Sequence, residues 1–303
     1  MTDIHRAAKQ AGFDACYVLT CESFPHYKRR QMDGALASAG QNLVSDPGEA
    51  VPWANALLFL VTGYRPYEPA FHVSGNYPSS NLAYHRVKAL VTALEADGIR
   101  AERIYVPIRE LALRSGIGVE CLNGLTAYDG FGTRVAVQVL AACLPGKPEY
   151  EKVRSYRHCD NCGKCISACP SHAIDEMGFH FTRCARAYMG NVAMPDWAMD
   201  CMDTLLGCET CQFVCPLNDG IPYERELPAA FDLERILKGE LKPVLAIVGT
   251  NLNSGGRIIA QAIVLAVRQG RRELFPLIET HSGDERPAVR SAYAYYQRHK
   301  ETE

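Results

Sequence analysis

The stretch CDNCGKCISACP, Cys159 to Pro170, decides how the rest of the chain is read. It spaces Cys159, Cys162, Cys165 and Cys169 as C-x2-C-x2-C-x3-C and sets Pro170 after the last. Three thiolates two residues apart on one tight loop reach three corners of a 4Fe–4S cubane, while the loop's backbone N–H groups offset the charge on its sulfides. The fourth cysteine starts the next turn and serves a second cluster, so a partner set is required.

That set lies downstream. GCETCQFVCP supplies Cys208, Cys211 and Cys215, followed by Pro216, and FTRCARAY supplies Cys184. The crossover rule of two-cluster ferredoxins assigns Cys159, Cys162, Cys165 and Cys215 to one cluster and Cys169, Cys184, Cys208 and Cys211 to the other. Cys201 competes with Cys184 for its place. A lone C-x-x-C would suit zinc or a thiol redox pair equally well. Two groups that each end C-x3-C-P point instead to two 4Fe–4S clusters and to electron transfer. Nine of the thirteen cysteines fall between Cys159 and Cys215. The remaining four, Cys16, Cys21, Cys121 and Cys143, sit in or beside apolar stretches and read as small buried hydrophobes.

Outward from this centre the chain of 303 residues divides into three. Residues 1–150 alternate helix and strand. A helix is expected at His5–Ala11, and strands at Cys16–Leu19, Ala56–Val61, Ile104–Val106 and Val135–Leu140. Val87, Leu90, Val91 and Leu94 recur at helical spacing ahead of Gly98, and a short helix runs from Arg109 to Ser115 ahead of Gly116. Residues 151–225, after the linker LPGKPEYEK, carry the cysteines and little hydrophobic periodicity, as in a segment held together by its metal centres. Residues 226–303 read as helical: a stripe Ile258, Ile259, Ala262, Ile263 and Ala266, a helix near Arg272–Thr280, and another starting at Pro287. The fold class expected is α+β.

The formal net charge of −2 excludes a strongly basic footprint over the chain as a whole, and leaves a local basic patch open. The start MTDIHRAAKQAGF lacks the apolar core of a signal peptide, and the run Ala56–Val61 is too short to span a bilayer. A cytoplasmic location without membrane partners is expected. A cysteine excess in that reducing compartment reads as metal binding rather than disulfides.

Four stretches give the chain a resemblance to the epoxyqueuosine reductase family, cobalamin- and 4Fe–4S-dependent enzymes related to the reductive dehalogenases. They are the cysteine region with its Cys184; RSGIGVECLNGL, Arg114–Leu125, similar to the family's R-A-G-L-G-W-I-G-K-N-T-L; AYHRV, Ala83–Val87, similar to D-Y-H-K-V; and the helical tail, similar to HEAT-type repeats. The resemblance implies a nitroreductase-like α/β domain that cradles cobalamin over residues 1–150, a ferredoxin-type domain with two 4Fe–4S clusters over 151–225 and a HEAT-like region over 226–303. It places Tyr84, His85, Gly116, Gly118 and Asn123 near the corrin, and implies a low-potential electron donor such as ferredoxin or flavodoxin. By pattern alone Gly116 is a helix C-cap, Gly118 a turn residue and His85 a surface residue at a helix start.

The chain also departs from the family. Where the family carries an acid that donates the proton, Val106-Pro107 align so that Ile104 takes its place, and Leu122 replaces the lysine of G-K-N. Tyr105 and Glu102 are the neighbouring candidates for the proton donor, although a tyrosine on a strand more often packs than reacts. The reading put first is therefore a cobalamin-dependent reductase of an unidentified small molecule or modified nucleoside. The alternatives are an electron-transfer or corrinoid-reducing accessory protein without its own substrate, and an epoxyqueuosine reductase acting on tRNA with a relocated donor. Between Arg257 and Lys300 cations exceed anions by only four, so tRNA is a partner not favoured by charge. The aromatic run Tyr293, Tyr295 and Tyr296 reads as helix packing.

Overall fold

The computed structural model describes residues 3–27, 43–153, 158–190 and 193–301. Its centre is a four-stranded sheet. The strands are β1 (Ala15–Leu19), β2 (Ala56–Gly63) and β3 (Ala101–Arg103), and, after a small hairpin of β4 (Gly118–Glu120) and β5 (Thr126–Tyr128), β6 (Val135–Ala142). The order is β1-β2-β6-β3, and every neighbouring pair is antiparallel.

The run ALLFLV of β2 is continuous rather than alternating because both faces of the sheet are covered. Successive side chains point to opposite faces. Leu58 and Leu60 join Val18, Leu140 and the inner face of the helix Asn76–Ala96 through Val87, Leu90 and Leu94. Leu57, Phe59 and Val61 join Val139, Ile104, Val106, Leu111 and Tyr128 on the other side. Cys16 belongs to the first core. Burial, with Glu151 adding, pushes its thiol up to about 12, as expected of a packing cysteine.

The expected strand Ile104–Val106 is three residues too late. The ladder to β6 spans Ala101–Arg103, and the Ile104 N–H adds one bond to the Val139 carbonyl at 3.1 Å. Pro107, which has no N–H to give, then caps the helix Ile108–Arg114. The helix Asn76–Ala96 starts well before the stripe that revealed it, and Gly98 ends it at φ +75°.

The cysteine segment holds short helices, Lys164–Ala168 and Thr210–Phe213 among them, and a two-stranded ribbon, β7 (Ile174–Asp175) with β8 (Gly178–Phe179). The tail packs helices Leu233–Leu237, Lys242–Val248, Arg257–Arg268, Phe275–Glu279 and Pro287–His299. Its apolar core continues into Met189–Leu206 and reaches Tyr67 and Val73. Tyr295 and Tyr296 are each 2% exposed, so the tyrosine run is packing. Among the described residues no helix is long and apolar enough to cross a membrane.

Candidate metal centres and the adjoining cavity

The loop after His158 is built for tight curvature. Asn161 takes φ +55° and Gly163 φ +73°, the Cys162 N–H is held by Asp160 Oδ1 at 3.2 Å, and Gly163 opens the helix that carries Cys165. Cys215 arrives from the other end of the segment. Cys159, Cys162, Cys165 and Cys215 line one cavity of about 260 Å³. They are the four that the crossover spacing grouped.

The second group is also close together. Burial, with Cys208, Cys184 and Cys169 adding, pushes the Cys211 thiol up. Burial raises Cys208 as well, with Cys169 among its charged neighbours, and Cys184, with Cys208 among its own. Cys201 remains nearby: Cys169 and Cys208 both act on it, and its Sγ lies 3.4 Å from the Pro170 carbonyl. Donors surround these sulfurs, with the Ala173 N–H 3.3 Å from Cys169 Sγ and the Thr210 hydroxyl 3.4 Å from Cys208 Sγ. Among the described residues no three His, Cys, Asp or Glu side chains converge on a point that a single ion could occupy.

A buried ion pair ties this segment to the sheet. Arg134, just ahead of β6, meets Glu209, next to Cys208, at 2.7 Å, with both side chains 2% exposed. Tyr64 and Ser74 donate to the same carboxylate at 3.1 and 2.9 Å. Thr133, Gln212 and Asn218 form a second buried network beside it.

A larger cavity, about 600 Å³, opens between the end of the sheet and the tail. Tyr84, Arg103, Ile104, Tyr105 and Gln138 line it from one side, Thr250 and Asn251 from the other. The Arg103 guanidinium carbon sits 4.5 Å from the Tyr105 ring centre and 4.8 Å from that of Tyr84, and Lys88 Nζ lies 4.5 Å from the Tyr84 ring.

A family described as a 4Fe-4S double cluster binding domain matches residues 158–218. The chain carries two 4Fe–4S clusters. Among curated proteins, the epoxyqueuosine reductase of Bacillus subtilis is 29% identical over 62% of this chain and 51% of its own length. That of Cyclobacterium marinum is 24% identical over 77% of this chain and 84% of its own length. The chain is a relative of the epoxyqueuosine reductases. It spans about half the length of the first curated relatives it matches.

Solved structures agree on the fold. A selenomethionine-labelled epoxyqueuosine reductase superposes with a TM-score of 0.76 at 21% identity, covering 96% of this chain and 88% of that one. One solved with an epoxyqueuosine-modified tRNA stem loop gives 0.72 at 20%, covering 96% and 87%. A catabolic reductive dehalogenase gives 0.51 at 13%, covering 95% of this chain and 37% of its own. The fold of this epoxyqueuosine reductase relative is therefore α+β with a ferredoxin-type insert and a helical tail, as its cysteine spacing and resemblance implied.

The residues expected at the corrin scatter. Tyr84 lines the large cavity. His85 is exposed and lies against the Tyr84 ring. Gly116 is a helix terminus at φ +70°. A Cβ on Gly118 would meet Thr126 Cγ2 at 2.5 Å, so its small size serves the β4–β5 hairpin. Asn123 lines the cavity of the first four cysteines instead. Of the two candidate donors, Tyr105 lines the large cavity and Glu102 does not; Glu102 is exposed and 3.9 Å from Arg100.

Two further groups escaped sequence reasoning. Cys121, read as a plain core residue, lines the cavity of the first four cysteines. Burial, with Cys159 and Cys215 adding, pushes its thiol up to about 12. Its place in the motif-like segment Arg114–Leu125 was the available signal. Arg103 carried none, since its stacking partners come together only in the folded chain.

Proposed function

We propose that the chain is a cobalamin-dependent reductase of the epoxyqueuosine class, acting on a modified nucleoside in tRNA, with the two clusters delivering electrons towards the large cavity. This reading puts first what the missing acid at Ile104, the missing lysine at Leu122 and the modest charge had placed among the alternatives. The observation that carries it is the presence in one fold of two four-cysteine groups and a polar, aromatic-walled cavity, in a chain whose curated relatives are epoxyqueuosine reductases.

The cavity's chemistry fits a corrinoid. Ser80, Asn81, Gln138, Thr250 and Asn251 offer amides and hydroxyls suited to an amide-fringed macrocycle, and Tyr84 and Tyr105 offer flat faces. Cobalamin, when bound, supplies a metal centre able to deliver reducing equivalents, the part of the chemistry no side chain can perform. Removing an epoxide oxygen as water consumes two electrons and two protons. Tyr105, 38% exposed and on the cavity wall with Tyr84, is the phenol we assign to hand over a proton there. The Arg103 guanidinium over its ring offsets the charge that a departing proton leaves.

The relevant assay uses anaerobically purified protein with eight iron and one corrinoid per chain, a low-potential reductant, and epoxyqueuosine-containing tRNA. Loss of one oxygen from the nucleoside, read by mass, is expected. Tyr105→Phe should lower the rate by about 10²-fold or more while binding of tRNA is retained. Absence of deoxygenation by the fully loaded protein would sink the reading. The apolar Ile104, 7% exposed on the same wall, is the observation favouring a second one, in which the reductase takes another substrate. Weak tRNA binding without the steep salt dependence of phosphate contacts would support that second reading.

A further inference from the structure

The tip of the β4–β5 hairpin reaches over the first group of cysteines. Cys121 N–H donates to the Leu125 carbonyl at 2.9 Å and Gly124 N–H to the Cys121 carbonyl at 2.8 Å, which closes a tight turn. Asn123, at its centre, is 3% exposed. Its Oδ1 accepts the Leu125 N–H at 3.2 Å. That bond fixes which end of the amide is which, because only the oxygen can accept it. The amide nitrogen is then left buried without a hydrogen-bond partner among the described residues. A buried donor left unpaired costs about 1–3 kcal/mol, so such a group is kept where something is there to receive it.

Asn123 lines the cavity of about 260 Å³ that Cys159, Cys162, Cys165 and Cys215 share. Leu122, Pro216 and Leu217 give the remaining wall its apolar part, and His158, Asp160, Asn161 and Lys164 its polar part. A 4Fe–4S cluster held there brings its sulfides and thiolates as acceptors. The second group of cysteines has donors in the Ala173 N–H and the Thr210 hydroxyl; in the first, backbone N–H groups serve Cys165 and Cys215, and the hairpin adds a side-chain donor.

We propose that Asn123 Nδ2 donates a hydrogen bond to a sulfur of the cluster held by Cys159, Cys162, Cys165 and Cys215, and so sets that cluster's reduction potential above the value the same site would give without that donor. Asn123 is thus a positioning residue for electron transfer rather than a corrin contact. The direction follows from charge. Reduction adds an electron to the cluster, and a donor aimed at its sulfur stabilises the more negative form. The proposal rests on the two-cluster assignment but not on cobalamin or on any substrate.

The test is an EPR-monitored redox titration of the full chain, with iron quantified first. Asn123→Asp keeps an oxygen for the Leu125 N–H and removes the donor; Asn123→Ala removes both. In each variant that retains eight iron, one of the two midpoint potentials is expected to move negative, further in the Asp variant, while the other stays in place. Two unchanged potentials at eight iron would overturn the proposal. A measurement on the unaltered protein does not depend on the variants folding. Pulsed EPR of reduced protein labelled with ¹⁵N in asparagine side chains should show coupling to one cluster. No coupling to either would likewise overturn it. A preparation with zinc or no iron in the cysteine groups would refute the cluster assignment itself, a failure distinct from both.

Discussion

At the scale of single residues, cysteine plays two parts in this chain, and local spacing separates them only in part. The first set was legible because three of its members lie within seven residues and a proline marks the end of each run. Cys121 was not, because its nearness to Cys159 and Cys215 is made by a hairpin that folds back over the loop. The contest between Cys184 and Cys201 was left open by spacing, and both stand near Cys208. Cys184 stands beside Cys211 as well as Cys208. Cys201→Ser is therefore expected to keep eight iron per chain, and Cys184→Ser to lose iron and the EPR signal of one cluster. Iron analysis of the two purified variants decides it, and the reverse result would hand the ligand role to Cys201.

Among elements, the β4–β5 hairpin was missed outright, as was the β7–β8 ribbon. The hairpin's strands are three residues each, too short for alternation to show, and the segment read as a glycine-rich cofactor contact. Gly124 shows what the glycines there do. It takes φ +75°, and a Cβ on it would lie 2.5–2.7 Å from the Phe179 ring and its Cβ in β8. Backbone approach to a neighbouring element explains it without a ligand. Gly124→Val adds strain and a clash, together on the order of 1–3 kcal/mol. It should lower the melting temperature and speed loss of iron under air. An unchanged melting curve would mean that the tip does not rest on Phe179. The long helix Asn76–Ala96, by contrast, was legible from its stripe, since one face of it meets a core; the tail helix Arg257–Arg268 was legible as apolar and helical, although the structure buries it on every side from Ile258 to Ala266.

Over the whole molecule, the order of the three regions could be read along the sequence, and the joints between them could not. A parallel bridge pairs Val73 with Leu205, and another pairs Tyr67 with Glu224. The Arg134–Glu209 pair then locks the sheet to the residue beside Cys208. Neither partner stands out in the sequence, because a charged residue announces its burial only once its counterpart is known. Glu209→Ala would strand a buried guanidinium, at a cost of about 3–5 kcal/mol. A fall in thermal stability accompanied by looser cluster binding is the expected outcome, with Glu209→Gln milder because it keeps an acceptor for Arg134. Equal stability of the Ala variant and the parent would show that water reaches the pair.

The meeting of Cys215 with Cys159, Cys162 and Cys165 has a consequence for the lifetime of the protein. An inorganic core bridging the two ends of that segment acts as a cross-link that oxygen, rather than a thiol reductant, can cut. Once it is cut, the loops that carry the cysteines lose that constraint, and what remains is the packing of Met189–Leu206 against the tail. The cysteine segment is then the first target for a protease, so the abundance of the chain in a cell would track iron supply and oxygen exposure as well as synthesis.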